Sequence, residues 1–267
     1  VSSRIGVVLL GSTLIPGILV FAYAWYFGPA GIGGIPLLTV VAAALCTSNG
    51  LWLTLAQRYG SPEDAYGGTI AAAINSGPLV PLLLLAAYDR GQSPIPWSAL
   101  LDSVTPLLIG LLAGMLWPPV RPVLRAIIPV MIVTFSFSLG LRLPFTTLAH
   151  QLVRGSGVGI ACSVLSGMLV ALGWVKLLRG QARIGWAASA ITVGAGIVPA
   201  MIGAADPAFR PYVMVATAQV SVAVLVSTVL TPILVLLAAH WPFRHRHPDP
   251  VPVQAKPDGE RKLAVVA

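Results

Sequence analysis

The sequence predicts an all-α, polytopic membrane protein of about eight transmembrane helices, organised as an inverted-topology repeat with two broken helices. Three observations predict it. Charged residues make up 9% of the chain while 57% are hydrophobic, at a mean hydropathy of +0.88, against roughly 25% charged in ordinary soluble domains. Apolar runs of membrane length follow one another with short polar connections. Two of those runs are interrupted, in corresponding places, by polar or glycine-rich stretches.

A bilayer span needs about 20 mainly apolar residues, and the absence of strand alternation makes the spans helical. They are expected at Ile5–Phe27, Gly34–Gln57, Gly68–Tyr88, Ser98–Trp117, Pro122–Pro144, Ser156–Leu178, Arg183–Ala204 and Pro211–His240, labelled A to H. Trp25, Trp97, Trp117, Trp174 and Trp241 fall at or beside span ends, where an amphipathic ring meets the headgroups. A cleaved signal ending near Ala22-Tyr23-Ala24 is the alternative for span A. The continued apolar run through Trp25, Tyr26 and Phe27 and the seven spans that follow argue against it.

The formal charge of +8 and pI of 10.1 do not point to nucleic acid, because the basic residues sit in short loops and a tail rather than on one stripe. Sorted by alternate connections, one face takes Arg4, Arg58, Arg121, Arg125, Lys176, Arg179, Arg183, Arg244, Arg246, Lys256, Arg261 and Lys262, the other Arg90, Arg142, Arg154 and Arg210. The positive-inside rule therefore puts both termini in the cytoplasm. Residues 1–240 form the transmembrane domain, with repeat-related segments 5–88 and 156–240. Residues 241–267, rich in proline and charge, form a disordered basic cytoplasmic tail.

The repeat rests on the interruptions. Span B is broken near its middle by Thr47-Ser48-Asn49-Gly50, and span G by Thr192-Val193-Gly194-Ala195-Gly196 with Pro199 behind it, about 145 residues apart. At that offset Gly60-Ser61-Pro62 meets Ala205-Asp206-Pro207. Matching segments separated by an odd number of spans cross the membrane in opposite directions, as in secondary transporters. A broken helix frees N–H and C=O groups, tolerable at membrane depth only where protein or a watery cavity receives them, and half-helix N-termini attract anions.

Ser48, Asn49 and Gly50 are therefore candidate substrate contacts, opposed by Thr192, Gly194 and Gly196. Neutral amides and hydroxyls bond a hydroxyl or carboxylate of a solute without burying a charge. Asn75, Ser76 and Pro78 in span C, and Gln219 and Ser221 in span H, could line the same cavity or join helices. Asp102, one turn into span D, and Arg142 are assigned to an ion pair or to solvation. His240, His245 and His247 lack a metal-ligand set, and the segment suits anionic lipid better. Cys46 and Cys162 lie in separate apolar runs without redox or zinc spacing. No His-Glu-x-x-His or Gly-x-Ser-x-Gly motif is present, and Gly194-Ala195-Gly196 lacks the third glycine of a dinucleotide loop, so neither an enzyme nor a cofactor is expected.

Thr47-Ser48-Asn49-Gly50-Leu51, Gln57-Arg58-Tyr59-Gly60, Asn75-Ser76-Gly77-Pro78-Leu79, Phe135-Ser136-Phe137-Ser138-Leu139-Gly140, Pro207-Ala208-Phe209-Arg210-Pro211 and Thr231-Pro232-Ile233-Leu234, in that order, resemble the 2-keto-3-deoxygluconate permease family from span A to span H. The resemblance implies import of that sugar acid by proton symport across the bacterial inner membrane, on a fold similar to sodium–proton antiporters and bile-acid transporters. A core of A, B, C, F, G and H would move against D and E. The partners implied are the sugar acid, the proton and the bilayer, with room for a homo-oligomer. Two departures stand out. The family has about ten spans on an inverted repeat, so this chain, opening on Val1, is expected to lack the first two. Where the pattern carries acids, the chain has Cys46, Asn75 and Pro144, which opens two alternatives: a carrier of another organic anion without proton coupling, or an inactive truncated member.

Overall fold

The computed structural model describes residues 2–75, 79–88, 97–120 and 145–238, with scattered positions of 121–144. Span E, Ser76, Pro78, Trp241 and the tail lie wholly or mostly outside the described residues, as do the side chains of Asn49 and Asp102. Among the described residues the protein is all-helical, without a strand. Among the described residues three helical stretches, Ser3–Phe27, Ala149–Lys176 and Pro207–Ala238, are long and apolar enough to cross a membrane.

The first stretch runs as α1 (Ser2–Leu9), a wide π turn (Leu10–Leu14) and α2 (Ile15–Phe27). Pro16 has no N–H to give and its ring crowds the carbonyl one turn back. The widened turn accommodates it, and the Ser12 hydroxyl donates to the Val8 carbonyl at 2.7 Å. A turn with positive φ at Gly28, Gly31, Gly33 and Gly34 then reverses the chain into α3 (Leu37–Leu45). After a break come α4 (Asn49–Tyr59), α5 (Pro62–Asn75), α6 (Leu79–Tyr88) and α7 (Trp97–Leu116).

The second half opens on α8 (Phe145–Lys176), continues through the short α9 (Ala182–Trp186) and two 3₁₀ turns into α10 (Val198–Ala205), and ends on α11 (Val213–Ala238). Helix α8 starts eleven residues before the expected Ser156, because its first turns (Thr146, Thr147, His150, Gln151, Arg154) are too polar to register as a span. Helix α5 likewise starts at Pro62 rather than Gly68. Proline suits a first helical position, and Ser61 and Asp64 cap it reciprocally: the Ser61 hydroxyl and N–H donate to Asp64 Oδ2 at 2.9 Å, and the Asp64 N–H returns to Ser61 Oγ at 3.2 Å.

Helices α8 and α11 lie against each other at Gly155 and Gly159. A Cβ at Gly155 would come within 2.7 Å of the Gln219 carbonyl oxygen and one at Gly159 within 2.8 Å of Ala223 Cα, so the four-residue glycine spacing allows near backbone contact. One buried cluster joins Val20, Leu38, Val41, Ile191, Val198 and Val220. Another joins Val8, Trp52, Ala56, Val170, Trp174 and Ile184. They occupy opposite ends of the bundle. The first end carries the 28–36 turn, the start of α8 and the Pro207–Tyr212 turn, with Arg154 and Arg210 as described cations. The second carries Arg4, Arg58, Lys176, Arg179 and Arg183, and Arg4 there pairs with Glu63 at 2.6 Å and Asp64 at 2.5 Å.

Candidate functional site

Helix α3 stops at Leu45 because Cys46 and Ser48 adopt extended backbone, with ψ of 97° and 113°. In the second half Ala190 and Thr192 do the same, with ψ of 131° and 146°. The two unwound stretches lie antiparallel, Thr47 opposite Ile191. Ser48 N–H donates to the Ala190 carbonyl at 2.9 Å and Thr192 N–H to the Cys46 carbonyl at 3.0 Å. The remaining N–H groups are also answered by protein: Thr47 N–H by the Asn75 carbonyl at 3.2 Å, Ile191 N–H by the Ser227 hydroxyl at 3.1 Å. Four peptide donors freed by two helix breaks thus find acceptors away from lipid, as the membrane interior demands.

Each break is followed by a half-helix with a hydroxyl at its N-cap. Ser48 Oγ accepts from Leu51 N–H at 3.5 Å and Thr192 Oγ1 from Gly194 N–H at 3.4 Å. Both bonds are long, so neither hydroxyl is strongly committed. Two half-helix N-termini, α4 and Val193–Ala205, therefore begin at the same two-stranded crossing, with the positive ends of their dipoles there. Cys46, Thr47 and Ile191 are buried, Ser48, Thr192 and Gly194 half-buried, and Gly50 exposed with open space around it.

The second break lies at Ala190–Thr192, beginning two residues before the glycine-rich stretch expected to form it and sharing only Thr192 with it. Val193–Ile197, with Gly194 and Gly196, is a 3₁₀ turn entering α10. The glycines relax a tight turn while Thr192 supplies the cap. In the first half the break is Cys46–Ser48, and Asn49 and Gly50 already belong to α4. The connections matched by sequence are both caps: Ser61 before Pro62, and Asp206, which accepts from Ala208 N–H at 2.8 Å, before Pro207.

The other expected residues divide. Asn75 is fully buried beside the crossing, its carbonyl on Thr47 and its Nδ2 donating to Ser12 Oγ at 3.1 Å and to Thr13 Oγ1. Its Oδ1 has no hydrogen-bond partner among the described residues. Gln219 belongs to a different junction. Its Oε1 accepts from Thr39 at 2.8 Å and its Nε2 donates to the Gly34 carbonyl at 2.8 Å and to Gln151 Oε1 at 2.7 Å, pinning α11, α8 and the turn before α3. Gln219→Leu would leave the buried Thr39 hydroxyl without its acceptor and remove the ties to Gly34 and Gln151. We expect a loss of about 2 kcal/mol, read as a lowered thermal midpoint of the detergent-solubilised protein. Ser221 bonds back to the Thr217 carbonyl of its own helix at 2.7 Å, and Ser76 lies outside the described residues.

Sequence reading passed over the hydroxyls that hold the crossing. Ser227 supports Ile191, the Ser189 hydroxyl donates to Thr231 at 2.8 Å, and the Ser166 hydroxyl reaches the Ala188 carbonyl at 3.4 Å. Ser227 and Thr231, four residues apart in an apolar helix, and the adjacent pair Ser12-Thr13 before Pro16 were the available signals.

A family model described as 2-keto-3-deoxygluconate permease matches residues 1–242. The 2-keto-3-deoxygluconate permease of Xanthomonas oryzae pv. oryzae (strain MAFF 311018) is 35% identical over 212 residues, covering 79% of this chain and 66% of that protein. The protein of the same name from Escherichia coli O9:H4 (strain HS) is 30% identical over 201 residues, covering 75% and 61%. The chain thus spans somewhat less than two thirds of the relatives it matches. No solved structure matches it.

Proposed function

The chain belongs to the 2-keto-3-deoxygluconate permease family, and from that membership we propose that it is a secondary transporter importing 2-keto-3-deoxygluconate or a related sugar acid across the bacterial inner membrane by proton symport. The observation that carries the reading is the crossing of two unwound stretches with a half-helix N-terminus and an uncommitted hydroxyl at each. A carboxylate held there meets two positive dipole ends and the Ser48 and Thr192 hydroxyls, without a buried cation to desolvate.

In this reading Ser48, Asn49 and Gly50 bind one side of the solute and Thr192, Gly194 and Gly196 the other. Asn75 stands behind the first break, with Ser76 next to it in sequence, and the Asn75 acceptor, without a partner among the described residues, suits a hydroxyl of the solute. Gln219 holds the frame. The inverted repeat is supported by the recurrence of break, N-cap hydroxyl and capped proline in the same order in both halves. Segments 5–88 and 156–240 are then the two repeats, moving together against span D and span E. Arginine and lysine gathered at one end support cytoplasmic termini.

One observation favours a second reading, a carrier without proton coupling. Cys46 and Asn75 flank the crossing without a carboxylate, although the resemblance leads one to expect acids there. Uptake of labelled 2-keto-3-deoxygluconate into vesicles containing the chain, with and without an inward proton gradient, decides between them. Accumulation driven by the gradient is the expected result. Saturable uptake indifferent to gradient and uncoupler would favour the second reading, and correctly inserted protein without uptake would sink both for this solute.

A further inference from the structure

The end of the bundle opposite the 28–36 turn carries a concentration of cations that the transport reading leaves unused. Tyr59 closes α4, and Arg183 lies in the first turn of α9. The guanidinium carbons of Arg58 and Arg183 stand 5.7 and 5.2 Å from the centre of the same Tyr59 ring. They are therefore at most about 11 Å apart.

Tyr59 and Leu178 pack against one buried cluster, that of Trp52, Ala56, Trp174 and Ile184. This brings the end of α8 alongside, with Lys176 and Arg179 exposed upon it. The described acids of this end, Glu63 and Asp64, are held by Arg4. Arg58 is exposed and makes no ion pair among the described residues. Guanidiniums flanking a tyrosine ring at a helix end offer planar donors to phosphate oxygens, and tyrosine favours the headgroup level.

We propose that the Arg58–Tyr59–Arg183 edge, with Lys176 and Arg179 beside it, is a binding site for the phosphate headgroup of an anionic phospholipid. The occupant is a lipid rather than a soluble anion because Lys176 and Arg179 stand at the end of the membrane-length α8, where headgroups lie, with Arg58 and Arg183 beside them, and an anionic surface attracts each basic residue near it. Tyr59 ends the half-helix that follows the first break, and Arg183 begins the segment that precedes the second. A headgroup bridging them ties the outer ends of both broken helices. The proposal is independent of the solute carried.

Native mass spectrometry of the full chain in neutral detergent, titrated with short-chain phosphatidylglycerol or phosphatidylcholine, tests it. The wild-type chain is expected to bind phosphatidylglycerol saturably and at least about tenfold more tightly than phosphatidylcholine. Arg58→Gln, at an exposed position where folding is not at stake, is expected to weaken phosphatidylglycerol binding about tenfold, and Arg183→Gln in addition about tenfold more. Arg154→Gln, at the opposite end, should leave it unchanged. Unaltered binding by Arg58→Gln, or equal binding of phosphatidylcholine, would overturn the site. Displacement of the bound lipid by inorganic phosphate at the lipid's own concentration would overturn the lipid assignment in favour of a soluble-anion site.

Discussion

Replacing Gly185 with valine is expected to prevent the helix bundle from forming. A Cβ at this position would lie 2.3 Å from Ala171 Cα, 2.5 Å from Ala171 N and 2.8 Å from the Val170 carbonyl carbon. All three are backbone atoms in the last two turns of α8, so no side chain can turn away to make room. Helix α9 would have to withdraw from α8, taking with it the buried Ile184 and Trp186, and the stretch that leads into the crossing at Ile191 would follow. Overpacking of an ordinary core site costs about 1–3 kcal/mol. A clash with fixed backbone belongs to the exceptional class above about 4 kcal/mol. Gel filtration and thermal unfolding in detergent read the outcome, with Gly110→Val, where a Cβ meets nothing within 4 Å, as the control. A Gly185→Val protein that elutes and melts like the wild type would mean that α8 and α9 do not approach so closely.

The second large effect is functional. The double variant Ser48→Ala, Thr192→Val removes both N-cap hydroxyls from the crossing while keeping the main-chain bonds of Ser48 to Ala190 and Thr192 to Cys46. The lost capping bonds are long, at 3.5 and 3.4 Å, so stability should fall by about 1 kcal/mol or less. If the hydroxyls bind a charged solute, each contributes about 1.5–3 kcal/mol, and uptake by the pair should drop at least about a hundredfold at unchanged protein level. Thr192→Ser keeps a hydroxyl and is expected to retain most of the uptake. Full uptake by the double variant would remove the crossing from the binding site.

How far the sequence reveals this protein depends on the kind of interaction. The three described helices long enough to cross a membrane, matching expected spans A, F and H, are legible because lipid imposes one requirement on every lipid-facing residue, and hydropathy sums it. Composition also betrays the two breaks, since Ser48-Asn49-Gly50 and Thr192-Val193-Gly194 cannot pass as ordinary apolar helix. The position of each break within its motif is less legible. A hydroxyl at the N-cap and glycines in the following turn leave the unwinding to residues such as Ile191 and Ala190 that look helical by themselves. Pairing of the breaks is invisible locally, because it depends on main-chain atoms that every residue carries. Side-chain partners are harder still. Asn75 and Gln219 look alike as lone amides in apolar helices, yet one sits beside the crossing and the other fastens the far junction of Thr39, Gly34 and Gln151. Only the three-dimensional neighbours distinguish them.

The wide turn at Leu10–Leu14 has a consequence for angle. Each residue of a regular helix turns the face by about 100°, so a turn with an added residue rotates everything beyond it relative to everything before. Ahead of it, Val7 and Val8 enter the cluster around Trp52 and Trp174. Beyond it, Val20 and Ala24 enter the cluster around Leu38 and Val220. The same rod therefore serves two cores whose azimuths differ, and the phase between them is stored in a count of residues rather than in their chemistry. Leu10 and Leu14 face outward and tolerate exchange, whereas the number of residues between Val8 and Val20 sets how one end of the molecule is clocked against the other.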